Sequence, residues 1–98
     1  MNLPVRFRRL ARDEYVAALA WHAAAWPELA ERFEAAVEAV VAEAATSPER
    51  FPIAEADARE AAVPGFPYCI YYRVQRDTLS VLAVYHQSRS PEGWKSRV

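Results

Sequence analysis

The residues best suited to chemistry lie near the C-terminal end of this 98-residue sequence. His86, Arg89 and Trp94 follow a stretch rich in β-branched residues, and Lys95 and Arg97 add positive charge just beyond it. A histidine and an arginine at the end of a strand can bind a phosphate, and a nearby tryptophan can stack a base. The pattern predicts a nucleic-acid or target contact, although a Trp94 folded back onto the core would fit the sequence equally well.

No familiar catalytic signature accompanies these residues. The sequence has no GxSxG or HExxH motif, and its two glycines form no phosphate-binding loop. Cys69 and His86 could act as a nucleophile and its base only if they were adjacent. With a hairpin turn centred near residues 75–77, Cys69 would face Ala83, and His86 would lie roughly 10 Å further along the strand. We therefore expect Cys69 to be a small buried apolar residue.

Metal and redox chemistry find little support in the sequence. A zinc site built from His22, Cys69 and His86 would need three residues from separate parts of the chain to converge. A single cysteine excludes an internal disulfide. We expect no metal and no cofactor, and we expect His22 to be a hydrogen-bonded histidine of the core.

The length of the chain is typical of one small domain, spanning residues 1–98. The net charge is −1, but residues 1–12 carry +4, residues 13–72 carry −8 and residues 73–98 carry +3. If the two ends meet in the fold, a basic surface can face an acidic or nucleic-acid partner. The acidic middle would otherwise be an ordinary solvated helix face.

No segment is typical of export or membrane insertion. The N-terminal arginines are not followed by the apolar run of a signal peptide. The longest nearly uncharged stretch, residues 16–27, is too short to span a bilayer. We expect a cytoplasmic protein with no membrane partner.

The N-terminal half predicts an edge strand and a helical hairpin. Val5 and Phe7 alternate with arginines, which favours an edge strand with a charged outer face. Asp13 is a candidate N-cap for a helix that ends near Ala25, and Pro27 is well placed to begin a second helix. Apolar residues at helical spacing form the inner faces of the two helices: Tyr15, Leu19, His22 and Trp26 in the first, and Leu29, Phe33, Val37, Val40, Val41 and Ala44 in the second. The second helix should end near Ala45, before a loop over residues 47–52.

The C-terminal half predicts strands. Residues 53–63 are ambiguous, and we assign a strand only to Ala58–Val63, followed by a proline-rich turn. Tyr68–Val74 and Thr78–His86 are apolar at nearly every position, which favours two central antiparallel strands joined by a short turn. The predicted fold class is α+β, with an N-terminal strand and an αα-hairpin packed on a small twisted antiparallel sheet.

Three segments carry a resemblance to a known family. They read Phe66-Pro67-Tyr68-x-Ile70-Tyr71-Tyr72-x-Val74, Val81-Leu82-Ala83-Val84-x-His86 and Arg89-x-Pro91-x-x-Trp94. In these segments the chain resembles the RelE/ParE superfamily of bacterial toxins from type II toxin–antitoxin systems. It is most similar to the ParE-like branch, also called plasmid stabilisation proteins. The resemblance implies a growth-inhibiting toxin with the RelE/ParE-like fold.

The resemblance leaves two activities open. The RelE-like branch cleaves mRNA on the ribosome. It uses basic residues of the middle strands, an arginine and a C-terminal aromatic residue. The ParE-like branch inhibits DNA gyrase instead. The corresponding strand positions here are Glu60, Ala62 and Cys69, so only Arg89 and Trp94 would remain. The resemblance therefore implies a non-enzymatic gyrase inhibitor. An mRNA endonuclease using His86 and Arg89 is the alternative, because Arg59 precedes Glu60 and a one-residue shift would restore a cation.

The same resemblance implies the partners. A cognate antitoxin would cover the toxin, and operator DNA would be reached only through that antitoxin. The target would be DNA gyrase or, for the alternative activity, the ribosome and its mRNA. A non-toxic family member kept as a binding or regulatory protein is a third reading. The candidate target- or nucleic-acid-binding residues are Arg59, Arg73, Arg89, Trp94, Lys95 and Arg97.

Overall fold

The computed structural model describes residues 2–98 and places a helical hairpin against one face of a five-stranded sheet. In chain order the elements are β1 (Val5–Phe7), α1 (Arg9–Ala25), α2 (Pro27–Thr46), a 3-10 turn (Pro48–Arg50), β2 (Ile53–Glu55), β3 (Ala58–Ala62), β4 (Tyr68–Gln75), β5 (Thr78–His86) and α3 (Glu92–Lys95). The strand order across the sheet is β1-β5-β4-β3-β2. The predicted α+β class is confirmed, as are the edge position of β1 and the central positions of β4 and β5.

The sheet is mixed rather than wholly antiparallel. Strand β1 pairs with β5 in parallel, with Arg6 opposite Ser80, whereas the other three pairings are antiparallel. A parallel pair needs a long connection between its strands. Here the whole chain from α1 to β4 supplies that connection.

The first helix begins earlier than predicted. Helix α1 starts at Arg9, with Arg8 at its N-cap, so the prediction of Asp13 as the N-cap was wrong. The reason is that β1 leads into the helix without a loop, since the Arg8 amide donates to the Val81 carbonyl at 2.9 Å. The predicted helix end at Ala25 and the restart at Pro27 are confirmed.

The main core lies between the hairpin and the sheet. Phe33, Val37 and Ala44 of α2 are buried, and they belong to the same apolar cluster as Ile70 and Val81 of the central strands. His22 belongs to this core as predicted: it is 3% exposed, and its ring stacks on Phe33 with the ring centroids 4.6 Å apart. Its Nδ1 is 2.7 Å from the Ala18 carbonyl oxygen.

Strand β2 was missed by the sequence analysis. Its residues, with the alanines and acids around them, favour a helix when they are taken alone. Pairing with β3 overrides that preference, and the turn between the two strands holds Ala56 at a φ of 50°. The predicted strand over Ala58–Val63 is confirmed as Ala58–Ala62.

The register of the β4–β5 hairpin differs from the prediction. Cys69 lies opposite Tyr85, not Ala83, and Tyr68 lies opposite His86. A two-residue turn at Arg76–Asp77 shifts the pairing, and a bulge next to Tyr71 adds one residue on the β5 side. Cys69 and His86 are therefore much closer in the ladder than the predicted 10 Å offset.

Candidate functional site

The C-terminal tail folds across the sheet face opposite the helices. Trp94 of α3 is 3% exposed and stacks on Tyr71, with the ring centroids 3.7 Å apart and the planes at 12°. Tyr85 also lies beneath the tail, and its hydroxyl donates to the Ser90 carbonyl. Trp94 thus folds back onto the core, and its ring is not available to stack a base.

Glu14 of α1 anchors the tail. Its carboxylate accepts hydrogen bonds from Arg97 Nη1 and Nη2 at 2.9 and 2.8 Å, and from Arg89 Nη1 at 2.8 Å. It also accepts the Val84 amide proton at 3.0 Å. Burial would raise the pKa of the Glu14 carboxyl, but these donors together lower it below its ordinary value of 4.5. The carboxylate is therefore ionised near neutral pH.

The same contacts complete the edge of β5. Strand β1 pairs with β5 only as far as Val81, so among the described residues no strand lies on this side of the backbone beyond Val81. Glu14 accepts from the Val84 amide, and Arg97 Nη1 donates to the Leu82 carbonyl at 3.1 Å. Side chains thus replace the missing strand, which is one way to protect a sheet edge from pairing with another chain.

A cavity of about 260 Å³ lies between the tail and the sheet. It is lined by Glu60, Cys69, Tyr71, Tyr85, His86, Gln87, Arg89, Pro91 and Trp94. This is where the sequence-predicted His86 and Arg89 come together. Among the described residues, Arg89 is the one lining residue with a permanent positive charge.

The polar groups that could act on a substrate in this cavity are already engaged. The Arg89 guanidinium lies 4.0 Å from the Tyr85 ring centroid and is paired with Glu14. His86 Nδ1 accepts from the Ser88 amide at 3.0 Å and lies 2.7 Å from Ser88 Oγ. Burial raises the pKa of the Cys69 thiol, so this group is protonated near neutral pH. The cavity holds no free cation and no activated nucleophile among the residues described.

The remaining predicted candidates lie outside this cavity or only at its border. Arg73 pairs with Asp57 at 2.6 Å, and Lys95 lies 3.8 Å from Glu55. Arg59 donates to the Phe51 carbonyl at 2.7 Å. The structure therefore does not unite the six candidates on one surface, and four of them, Arg73, Arg89, Lys95 and Arg97, are engaged in ion pairs.

An apolar groove on the helical side was missed by the sequence analysis. It encloses about 510 Å³ and is lined by Trp21, His22, Leu29, Gly65, Phe66, Pro67, Tyr68 and His86. Trp21 is 70% exposed at its rim and Trp26 is 68% exposed nearby. Trp26 was predicted on the buried helix face, but it lies in the extended link after α1 and points outward. Trp21 lies off the inward apolar stripe of α1, and this was the signal that could have identified the groove.

A helical hairpin on one face of a small mixed sheet, with a C-terminal tail across the other, agrees with the toxin fold that the resemblance implied. A family profile described as "ParE toxin of type II toxin-antitoxin system, parDE" matches residues 5–91. The chain belongs to this family of toxins.

A solved structure supports the fold. The chain superposes on a chain of the "Chromosomal ParDE TA system from P. aeruginosa" with a TM-score of 0.74 and 15% sequence identity, covering 86% of this chain and 95% of that one. A comparison with curated protein sequences found no significant match. Within residues 2–98, no helix has both the length and the apolar character needed to cross a bilayer.

Proposed function

We propose that this chain is a toxin that inhibits DNA gyrase without cleaving RNA, and that a cognate antitoxin neutralises it in the cytoplasm. Membership of the ParE toxin family supports the toxin role and implies an antitoxin partner. The observation that supports the choice of target is that Arg89, the one arginine lining the cavity under the tail, is already paired with Glu14.

RNA cleavage needs groups that this cavity does not supply. In-line attack by a 2′-hydroxyl requires a base for that hydroxyl, cations for the developing charge and an acid for the leaving oxygen. Arg89 is already paired with Glu14, and Glu60 adds a negative charge where an RNA phosphate would have to bind. A polyanion would be repelled here, which favours a protein target over an RNA substrate.

The antitoxin contact is supported by the apolar groove and the acidic helix beside it. The groove is lined mainly by apolar and aromatic side chains, and Trp21 at its rim is 70% exposed. The outer face of α2 carries Glu28, Glu31, Glu34 and Glu38, all of them exposed. An antitoxin segment with apolar anchors flanked by arginines or lysines would complement both features.

The test compares both activities on one preparation. Purified protein is titrated into a supercoiling reaction with gyrase and relaxed plasmid. In parallel it is titrated into a translating extract, in which the length of the mRNAs is measured. We expect supercoiling to stop or cleaved DNA to accumulate, with messages intact, and we expect the antitoxin to reverse the effect. Intact supercoiling by several gyrases at growth-inhibiting concentrations would refute the proposal.

An mRNA endonuclease is the second candidate, because His86 and Arg89 do line one cavity. It predicts messages cut during translation and loss of cutting in Arg89→Ala. An Arg9→Ala variant, which alters an exposed ion pair and does not line the cavity, is the matched control and should leave cutting unchanged. A chain inert in both assays would be a non-toxic member of the family.

A further inference from the structure

A basic concavity lies at the other end of the sheet from the tail cavity. It encloses about 310 Å³ and is lined by Arg6, Arg8, Gln75, Arg76, Thr78 and Ser80. It lies beside the β4–β5 turn, whereas the tail cavity lies near His86, at the far end of β5. Along β5 their nearest lining residues, Ser80 and Tyr85, are five positions apart, which is roughly 17 Å of extended strand. The two sites are therefore distinct.

Arg8 is held in position within this concavity. Its Nε donates to Ser80 Oγ at 2.9 Å and its Nη2 donates to Gln75 Oε1 at 3.0 Å. A guanidinium has five donor hydrogens, so three remain for a ligand. The Ser80 residue is only 4% exposed, and its hydroxyl accepts from Arg8 while keeping its own proton to donate. These groups form an ordered set of donors.

The positive charge of the concavity is not compensated. Among residues 2–98, the ion pairs engage other arginines, including Arg73, Arg89 and Arg97. Arg6, Arg8 and Arg76 pair with no carboxylate within this part of the chain. Three neighbouring cations repel one another unless an anion lies between them.

The turn that carries Arg76 provides an independent observation. Arg76 and Asp77 have φ values of 52° and 59°, in the left-handed region that two-residue hairpin turns require. Glycine and asparagine occupy such positions with little strain, whereas a long side chain there is disfavoured. Strain of this kind is concentrated at functional positions. Here the strained turn places the Arg76 guanidinium at the rim of the concavity.

We propose that this concavity binds a phosphate group through Arg6, Arg8 and Arg76, with Ser80 and Thr78 as hydroxyl donors. Planar guanidinium groups match the oxygen geometry of phosphate. Among residues 2–98, no aromatic side chain lines the concavity, so no ring there stacks on a base. The ligand class is a phosphate, either in a nucleic-acid backbone or as a free phosphate.

The test uses the strain of the turn to separate binding from folding. In Arg76→Gly, the turn loses a cation and gains the residue it favours, so the melting temperature should hold or rise. Asp77→Gly relieves the same strain but keeps Arg76, and serves as the matched control. Affinity for a short labelled DNA duplex, measured by fluorescence anisotropy, should fall roughly tenfold in Arg76→Gly and stay equal or rise in Asp77→Gly. The slope of log affinity against log salt should decrease by about one in Arg76→Gly.

Competition by inorganic phosphate and by adenosine monophosphate separates the two sources. Displacement of the duplex by either competitor, at a concentration comparable to that of the duplex's own phosphates, would identify a free-phosphate site. Failure of both competitors to displace the duplex would identify the nucleic-acid backbone as the ligand. An Arg6→Gln variant should weaken binding as Arg76→Gly does. Absence of binding to all three probes, or equal binding by wild type and Arg76→Gly, would overturn the proposal.

Discussion

Arg97 donates two hydrogen bonds to Glu14, at 2.9 and 2.8 Å, although 83 residues separate them in the chain. Both side chains are about one-seventh exposed, at 15% and 14%. The pair joins the C-terminal tail to the first helix and completes the edge of β5. Arg97 and Arg89 are thus both ion-paired with Glu14.

Removing the Glu14 carboxylate should destabilise the fold. In Glu14→Ala, Arg97 and Arg89 lose their carboxylate partner and the Val84 amide loses its acceptor, so we expect a loss of about 3 kcal/mol in the free energy of unfolding. Urea denaturation measures this. The control is Arg9→Ala, whose ion pair with Asp13 is 82% and 64% exposed and should change stability by less than about 0.5 kcal/mol. Equal effects of the two substitutions would contradict the role of Glu14.

Stability should also fall in acid because of the same carboxylate. Its pKa is lower in the folded chain than its ordinary value of 4.5, so its contribution is complete above that pH and is lost as the pH falls through the folded value. We expect the urea midpoint of the wild type to decrease below about pH 4.5 more steeply than that of Glu14→Gln. Parallel pH profiles for the two chains would show that another group is responsible.

Close packing under α3 should make Gly93 intolerant of a side chain. A Cβ there would collide with the Tyr85 hydroxyl and lie 3.2 Å from its Cζ, and that ring is buried. Gly93→Ala should cost about 2 kcal/mol and expose Trp94. In a chain whose other two tryptophans are replaced by phenylalanine, Trp94 emission should shift to the red.

Gly65→Ala is the matched control for this packing argument. Gly65 has a φ of 83°, and apart from its chain neighbours no atom of residues 2–98 lies within 4 Å of an added Cβ, so alanine there adds backbone strain without a collision. It should cost about 1 kcal/mol and leave Trp94 emission unchanged. A red shift in this variant as well would mean that the emission reports general loosening rather than loss of the tail contact.

Trp21 should contribute to antitoxin binding without contributing much to folding. Because it is 70% exposed, Trp21→Ala should change the free energy of unfolding by less than about 0.5 kcal/mol. Loss of an aromatic anchor should weaken antitoxin binding by roughly 2 kcal/mol, measured by calorimetric titration. Val16→Ala, on the same helix and 57% exposed but outside the groove, should bind normally. Unchanged affinity in Trp21→Ala would place the antitoxin elsewhere.

Much of the architecture could be predicted from local patterns. Helical spacing and Pro27 predicted the hairpin of helices, and the dense apolar strands predicted the centre of the sheet. Strand β2 was not predictable in this way, because its composition favours a helix and only pairing with β3 makes it a strand. The hairpin register likewise depends on a bulge that no periodicity indicates.

The sequence by itself determined the fold class, the family and the place of His86 and Arg89 next to a central strand. Whether the tail is a free binding arm or part of the core was decided only by tertiary structure. Trp94 is buried because Tyr71, on a distant strand, offers it a stacking surface, and Arg89 is neutralised because Glu14 lies beside it in the fold. Periodicity and composition describe neighbours along the chain, whereas these partners are 23 and 75 residues apart and come together only when the sheet forms.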